Sequence, residues 1–201
     1  MRARREREKH DMRIAILEAA TNIIIEEGYD KLSMRKIADA IEYTPTTLYN
    51  YYKDKAQIID GISKELYMKV LSNIKTIFQN KNLPPDRQLE LSFKAFINTM
   101  TQNAEMGRAV MQSGTKTIFG PSPETQPDSD NGILLLKDFL QEGQRQSIFR
   151  KLDENVPWML VTALLGFCMN AIENQLYLNE DWESLVDTFI EILLMGIMPL
   201  K

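Results

Sequence analysis

The chain has 201 residues, of which 44% are hydrophobic and 26% are charged. This is an ordinary globular composition with enough apolar residues for a sizeable core in one or two domains. It contains no run of about 18 uncharged apolar residues, and its charged start lacks the apolar segment of a signal peptide, so we expect neither a membrane span nor a secretory leader. The net charge of −4 is uneven, with 11 basic against 10 acidic residues in 1–55 and 13 against 18 in the remainder, which suits a protein that contacts nucleic acid through its N-terminal end.

Residues 1–12 are charged and lack apolar periodicity. Six basic and three acidic residues fall within residues 1–13, so this segment is either an arm that lies along phosphates or a minor groove or a solvated disordered terminus. From Arg13 to Glu27, helical spacing of apolar residues predicts the first helix. Gly28 is expected to end that helix as the residue after the C-cap.

The stretch from Ser33 to Lys55 predicts two short helices joined by a tight turn. Ser33 and Thr44 are N-cap candidates, and Pro45 follows at the first helical position, where its missing N–H is tolerated. This pattern is typical of a helix-turn-helix motif, and the alternative is an ordinary helical hairpin with a partly buried aromatic cluster. The residues predicted to hold the two helices together are Ile37, Ala38, Ile41 and Leu48.

The second of these helices carries side chains suited to nucleic acid. Short polar and methyl groups in its first turn, Pro45-Thr46-Thr47, suit base edges and thymine methyl groups in a major groove. Phenol hydroxyls and ammonium groups at a helix end are typical phosphate contacts. Such groups follow at Tyr49, Tyr51, Tyr52, Lys53 and Lys55.

Together these residues resemble the TetR family of bacterial transcriptional regulators. The resemblance covers residues 13 to about 59, and the family usually has glycine in the helix-turn-helix turn, where this chain has Glu42. If that position has a positive φ, a residue other than glycine costs about 1 kcal/mol there. The matching residues are Arg13, Ile16, Leu17, Ala19, Ala20, Glu26 or Glu27, Gly28, Tyr29, Ile37, Ala38, Thr44, Thr47, Leu48, Tyr49, Tyr51, Tyr52 and Lys55.

The resemblance implies an N-terminal three-helix DNA-binding domain, residues 1–53, followed by a helical ligand-binding and dimerisation domain, residues 54–201. It also implies DNA-backbone contacts for Tyr49, Tyr51 and Lys55. Arg35 matches a position that in some relatives reaches a base, and its guanidinium can pair with guanine. The predicted DNA-binding residues are Arg35, Thr44, Pro45, Thr46, Thr47, Tyr49, Tyr51 and Lys55.

Beyond the motif, helical spacing predicts a long helix from Asp54 to Phe78 that leads from the DNA-binding end into the body. Further helices are predicted from Asp86 to about Asn103, from Met106 to Met111 and from Ile133 to about Ser147. Between the last two, Gly114–Gly132 has three prolines and three glycines and is either a lid near a pocket or a disordered insertion. No β-type alternation occurs, so the expected fold class is all-α.

Two long helices, Asp153–Tyr177 and Asp181–Met198, are predicted at the end of the chain. Both are apolar around more than one face, which a helix buried on one side does not need. The surplus indicates a four-helix homodimer interface, as the resemblance to the TetR family also implies, and the alternative is a central hairpin in a monomer. The predicted interface residues are Val161, Leu164, Leu165, Phe189, Leu193 and Ile197.

The body is rich in methionine, with 11 in the chain. Methionine suits an adaptable apolar cavity, and the family resemblance implies a small-molecule pocket, although such stripes at helical spacing also form ordinary cores. The predicted lining residues are Met68, Phe93, Phe96, Met100, Met111, Phe139, Trp158 and Phe167.

Catalytic patterns are missing from the sequence. Cys168 is the only cysteine and His10 the only histidine, so there is no nucleophile–histidine set and no zinc spacing, and we expect neither an enzyme nor a cofactor or metal. The single cysteine also suits a reducing cytoplasm. The predicted function is a homodimeric repressor that binds double-stranded operator DNA and is released by a small apolar or amphipathic effector; the alternative is an architectural DNA-binding protein without a ligand.

Overall fold

The computed structural model describes residues 2–112 and 131–199. Within these residues the chain forms nine α-helices and two short 3-10 helices, Tyr29–Lys31 and Leu176–Leu178, and no β-strand. The predicted all-α fold class is therefore confirmed. The α-helices are α1 (Arg2–Glu27), α2 (Met34–Ala40), α3 (Pro45–Leu48), α4 (Lys55–Phe78), α5 (Pro85–Gln102), α6 (Ala104–Gln112), α7 (Gly132–Arg145), α8 (Val156–Glu173) and α9 (Trp182–Met195).

Some helix ends differ from the prediction. The first helix begins at Arg2 instead of Arg13, because the charged N-terminal residues are good helix formers and include an i,i+4 ion pair between Arg4 and Glu8. The helix α8 is shorter than predicted and ends before Gln175, which has a left-handed φ of 53°. The prediction for Gly114–Gly132 falls almost entirely outside the described residues.

The chain divides into two compact units. Within the described residues, the first unit comprises residues 2–66 and 103–112, and the second comprises 67–102 and 131–199. The helix α4 begins in the first unit and ends in the second. The predicted functional division into residues 1–53 and 54–201 stays a prediction.

The core of the first unit is formed by α1, α2, α3, α4 and α6. Removing each isoleucine or leucine of this core from water contributes about 1.5–3 kcal/mol, so these residues fix how the two short helices lie against α1. Met106 and Ala109 of α6 belong to the same core, although the sequence places them far from the motif. The largest fully buried side chains here are Ile16, Ile24, Ile37, Leu48, Ile58 and Ile59.

In the second unit, α5 packs against both α8 and α9. Gln88, near the start of α5, donates its side-chain amide to the carbonyls of Ile77, Phe78 and Asn80 at 3.1, 3.2 and 2.8 Å. Ile77 and Phe78 are the last two residues of α4, whose final carbonyls have no partner further along the helix, and Asn80 follows in the turn. The Ile77 and Asn80 carbonyls also accept from the Asn80 and Leu83 amides, at 3.1 Å each. Gln88 therefore ties α5 to the end of α4.

One helix in the described part of the chain, α8, is long and apolar enough to cross a membrane by length and composition alone, a test that the core helices of globular proteins also pass. Seven of its residues are buried within the second unit. These seven residues belong to the core of the second unit, whereas Trp158, Met159 and Met169 of the same helix are exposed.

Candidate nucleic-acid interface

The helix-turn-helix begins with two confirmed N-caps. The Ser33 hydroxyl accepts a hydrogen bond from the Lys36 amide at 3.2 Å, and the Thr44 hydroxyl accepts one from the Thr47 amide at 3.3 Å. Pro45 occupies the start of α3 as predicted. Each cap accepts from an amide in the first turn of its helix, where the regular bonds of the helix are missing, and so stabilises the starts of α2 and α3. The Thr47 amide also donates to the Thr44 carbonyl at 2.9 Å.

The turn between α2 and α3 has a left-handed residue at Glu42, with a φ of 58°. The Glu42 amide donates to the Asp39 carbonyl at 3.2 Å, and the Tyr43 amide donates to the Ala38 carbonyl at 2.9 Å. This pair of bonds defines a Schellman motif, in which glycine is the usual left-handed residue. The turn therefore keeps its glycine-type backbone although glycine is replaced by glutamate.

The helix α3 is only four residues long, and Tyr49 to Tyr51 form turns after it. The predicted DNA-contacting residues in and around α3 differ in their exposure to solvent. Thr44, Thr46 and Tyr49 are exposed, whereas Pro45, Thr47 and Tyr51 are half-buried. The Thr44 and Thr47 hydroxyls also lie 3.0 Å apart and pair with each other. Thr46 is therefore the side chain of α3 that is best placed to reach a base.

Arg35 lies in the first turn of α2 and is exposed. Its Nε is 4.0 Å from a carboxylate oxygen of Asp39 one turn later. An exposed pair at this distance contributes little free energy, so the guanidinium can leave Asp39 for a stronger partner.

Lys55 is the first residue of α4 and is half-buried. Its ammonium lies 3.9 Å from the centroid of the Tyr29 ring and 3.5 Å from the Tyr29 carbonyl oxygen. A cation over an aromatic face is attracted to the ring quadrupole, by about 0.5–1 kcal/mol at an exposed site. Tyr29 therefore holds Lys55, a relationship that spacing alone did not predict.

A second aromatic residue orients a cation from α1. The guanidinium carbon of Arg13 lies 5.6 Å from the ring centroid of Tyr52, which follows α3. Burial raises the pKa of the Tyr52 phenol, and the charge of Arg13 partly opposes this rise. The phenol is thus neutral at physiological pH, and Arg13 is placed beside the end of the helix-turn-helix.

The predicted ligand residues are spread through the second unit and into α6. Phe93 and Met100 are buried on α5 and Phe96 is half-buried, whereas Met68 and Trp158 are exposed. Met111 lies in α6, and its side chain is outside the described part of the chain. Phe139 and Phe167 are each stacked on another aromatic ring. The ring centroids of Phe139 and Phe78 lie 3.7 Å apart, and those of Phe167 and Phe189 lie 4.2 Å apart.

A cavity of about 360 Å³ lies beside α7 and the start of α8. Its lining includes the apolar residues Leu140 and Pro157 and the charged residues Lys137, Lys151, Asp153 and Glu154. None of the eight predicted ligand residues lines it. The apolar effector pocket therefore stays a prediction.

The predicted dimer residues are also divided. Leu164, Leu165 and Ile197 are only 3–4% exposed within their own chain, so they offer little area to a second chain. Val161, Phe189 and Leu193 are half-buried. The outward apolar side chains of the two helices are different ones, which helical spacing did not single out: Trp158, Met159 and Met169 on α8, and Leu185, Ile192 and Met195 on α9.

Comparison with known proteins supports this geometry. Residues 16–62 match the family described as bacterial regulatory proteins, tetR family, and those residues contain the capped helix-turn-helix. This chain is therefore similar to the TetR family over its helix-turn-helix region. Over 85 residues it is 25% identical to the HTH-type transcriptional repressor DhaR of Mycobacterium sp. (strain GP1), an alignment that spans 42% of this chain and 43% of that repressor.

Solved structures of TetR-family proteins share the fold over most of the chain. A TetR-family transcriptional regulator from Pectobacterium atrosepticum matches with a TM-score of 0.72 and 17% identity, covering 96% of this chain and 97% of that one. The fatty acid degradation regulator FadR from Bacillus halodurans matches with a TM-score of 0.64 and 19% identity, covering 90% and 94%. At these identities the likeness concerns the fold.

Among the described residues, no group of three or more His, Cys, Asp or Glu side chains could hold a metal ion. Cys168 is buried, and burial raises the pKa of its thiol to about 12. A protonated thiol is a poor nucleophile, so Cys168 acts as a core residue in this fold.

Proposed function

We propose that this protein is a cytoplasmic transcriptional repressor that binds double-stranded operator DNA as a homodimer and leaves it when a small apolar or amphipathic effector binds. The observation that supports DNA binding most strongly is the capped helix-turn-helix, in which Thr46 and Arg35 are exposed. The ammonium of Lys55, held over the Tyr29 ring, follows the motif in the chain. In this proposal residues 1–53 bind DNA and residues 54–201 bind the effector and the second chain.

Phosphate and base contacts can be separated by mutation, after an operator has been selected from a random duplex library. Lys55→Ala should weaken binding to all duplexes about equally and flatten the salt dependence by about 0.9 for each phosphate that is no longer neutralised. Arg35→Ala and Thr46→Ala should instead relax the preference at one position per half-site, with binding to the preferred base weakened by about 1–3 kcal/mol.

The measurement is binding at several salt concentrations to the best site and to its single-base variants. Asp39→Ala is a matched control, because it removes the partner of Arg35 without removing a cation. If Lys55→Ala changes the base preference while Arg35→Ala and Thr46→Ala do not, the placement of α3 in the major groove is wrong.

The homodimer is supported by the outward apolar side chains of the last two helices. On α8, residues 158, 162, 166 and 169 follow helical spacing on one face, and on α9 residues 185, 188, 192 and 195 do so. Met159, Ile192 and Met195 are 67%, 61% and 63% exposed in the single chain. A second copy covering these faces would remove their apolar surface from water. We therefore centre the interface on them, with Val161, Phe189 and Leu193 at its base.

An effector must bind the DNA-free conformation better than the DNA-binding one, because otherwise it shifts no population. The helix α4 joins the two units along the chain and is the proposed route of coupling. Calorimetric titration of a panel of apolar and amphipathic compounds, with and without operator, tests this. A compound that binds equally tightly in both cases would contradict the coupling, since linkage is reciprocal. If no compound in the panel binds, the result favours the architectural DNA-binding alternative.

A further inference from the structure

The N-terminal part of α1 is a helix with an unusual charge distribution. Arg4 to Asp11 are all exposed, and Met12 is the first residue that is partly packed against the core of the first unit. The first turn of α1 contains basic residues and no acidic ones. Cations near a helix N-terminus oppose the helix dipole, so this charge does not stabilise the helix itself.

The basic residues divide between two faces. Arg5, Lys9 and Arg13 are four residues apart and form one stripe. Ile16, one turn after Arg13, is fully buried, so the stripe continues the side of α1 that faces the core. Glu6 flanks the stripe. The stripe ends at Arg13, whose guanidinium carbon lies 5.6 Å from the ring centroid of Tyr52, next to the helix-turn-helix.

The opposite face of this segment is neutral. Arg4, Arg7 and Asp11 lie about 140–160° round the helix from Lys9, the middle of the stripe, at 3.6 residues per turn. Glu8 lies about 100° from Lys9 and pairs with Arg4. The Nε of Arg4 is 2.8 Å from a carboxylate oxygen of Glu8. The positive charge is therefore concentrated on the face that adjoins the helix-turn-helix.

We propose that Arg5, Lys9 and Arg13 form a second, sequence-independent contact with duplex DNA, on the phosphates that flank each operator half-site. This inference rests on the proposed DNA-binding function. Eight residues of α-helix span about 12 Å, which equals the axial rise of three to four base pairs at about 3.4 Å each. A polyanion beside the stripe would also relieve the unfavourable placement of cations at the helix N-terminus.

Two double variants with the same change in charge test the proposal. Arg5→Gln/Lys9→Gln removes two cations from the stripe, and Arg4→Gln/Arg7→Gln removes two from the opposite face. Glutamine is a good helix former, and circular dichroism should show equal helix content in both variants and the wild type. The measurement is duplex affinity against salt concentration for the selected operator and for an unrelated duplex.

We expect the stripe variant to lower the salt dependence by up to about 1.8, at about 0.9 per neutralised phosphate, equally on both duplexes, while the opposite-face variant stays close to wild type. Trimming the duplex outside the half-sites should weaken the wild type and remove the difference between wild type and the stripe variant. Equal effects of the two double variants, or no effect of either, would overturn the proposal. If the wild type binds no duplex, the proposed function fails, and this inference fails with it.

Discussion

The left-handed residue in the helix-turn-helix turn gives a quantitative prediction. Glu42 has a φ of 58°, a conformation that disfavours residues other than glycine by about 1–2 kcal/mol. Glycine releases that strain but loses about 0.4–1 kcal/mol through the larger entropy of its unfolded chain. The balance predicts that Glu42→Gly stabilises the protein by about 1 kcal/mol, or about 2–4 °C in Tm for a chain of this size.

The chain offers matched controls for this substitution. Ser147 also has a φ of 58°, and it ends α7 with the same motif: its amide donates to the Gln144 carbonyl at 3.0 Å, and the Ile148 amide donates to the Gly143 carbonyl at 2.9 Å. Ser147→Gly should therefore raise Tm by a similar amount. Glu42→Gln removes only the charge, so it keeps the backbone strain and should leave Tm nearly unchanged.

Thermal unfolding followed by circular dichroism measures all three variants. If Glu42→Gly lowers Tm while Ser147→Gly raises it, the Glu42 side chain makes a stabilising contact that outweighs the strain. If both glycine variants lower Tm, the assignment of strain to the left-handed residue is wrong.

Lys55, α9 and Cys168 carry the remaining predictions. Tyr29→Leu should reduce duplex affinity and Tyr29→Phe should not, because phenylalanine keeps the ring under Lys55. In a Lys55→Ala background, Tyr29→Leu should cause no further loss of duplex affinity. If the two substitutions instead reduce affinity additively, Tyr29 does not act by positioning Lys55. Ile192→Glu should dissociate the homodimer in sedimentation experiments without lowering the stability of the single chain. Leu164→Glu should instead destabilise the fold by several kcal/mol, because it buries a charge. If the Ile192→Glu protein sediments as an unchanged dimer, the proposed interface is wrong. With its pKa raised to about 12 by burial, the Cys168 thiol should react with a thiol reagent at pH 8 only as fast as the protein opens, and an immediate reaction of the folded protein would show that the thiol is accessible.

The sequence by itself determined the features that depend on neighbouring residues. The N-caps at Ser33 and Thr44, the position of Pro45 and the burial of Ile37 and Leu48 follow from hydrogen bonds and helical spacing over a few residues. The local pattern also led to the TetR family, because the helix-turn-helix and its flanking helix are continuous in the chain. Even the departure at Glu42 was recognisable, because the backbone of this turn requires a left-handed residue whichever side chain occupies it.

Only the tertiary structure decided which side of a strongly apolar helix faces outward. Both α8 and α9 are apolar around more than one face, so spacing could not distinguish Leu164, which is buried, from Met159, which is exposed. The packing of α6 in the core of the first unit also joins residues that are distant in the chain. The same holds for the contact between the Lys55 ammonium and the Tyr29 ring. Such contacts depend on how whole helices pack, and packing selects among faces that local hydrophobicity leaves equivalent.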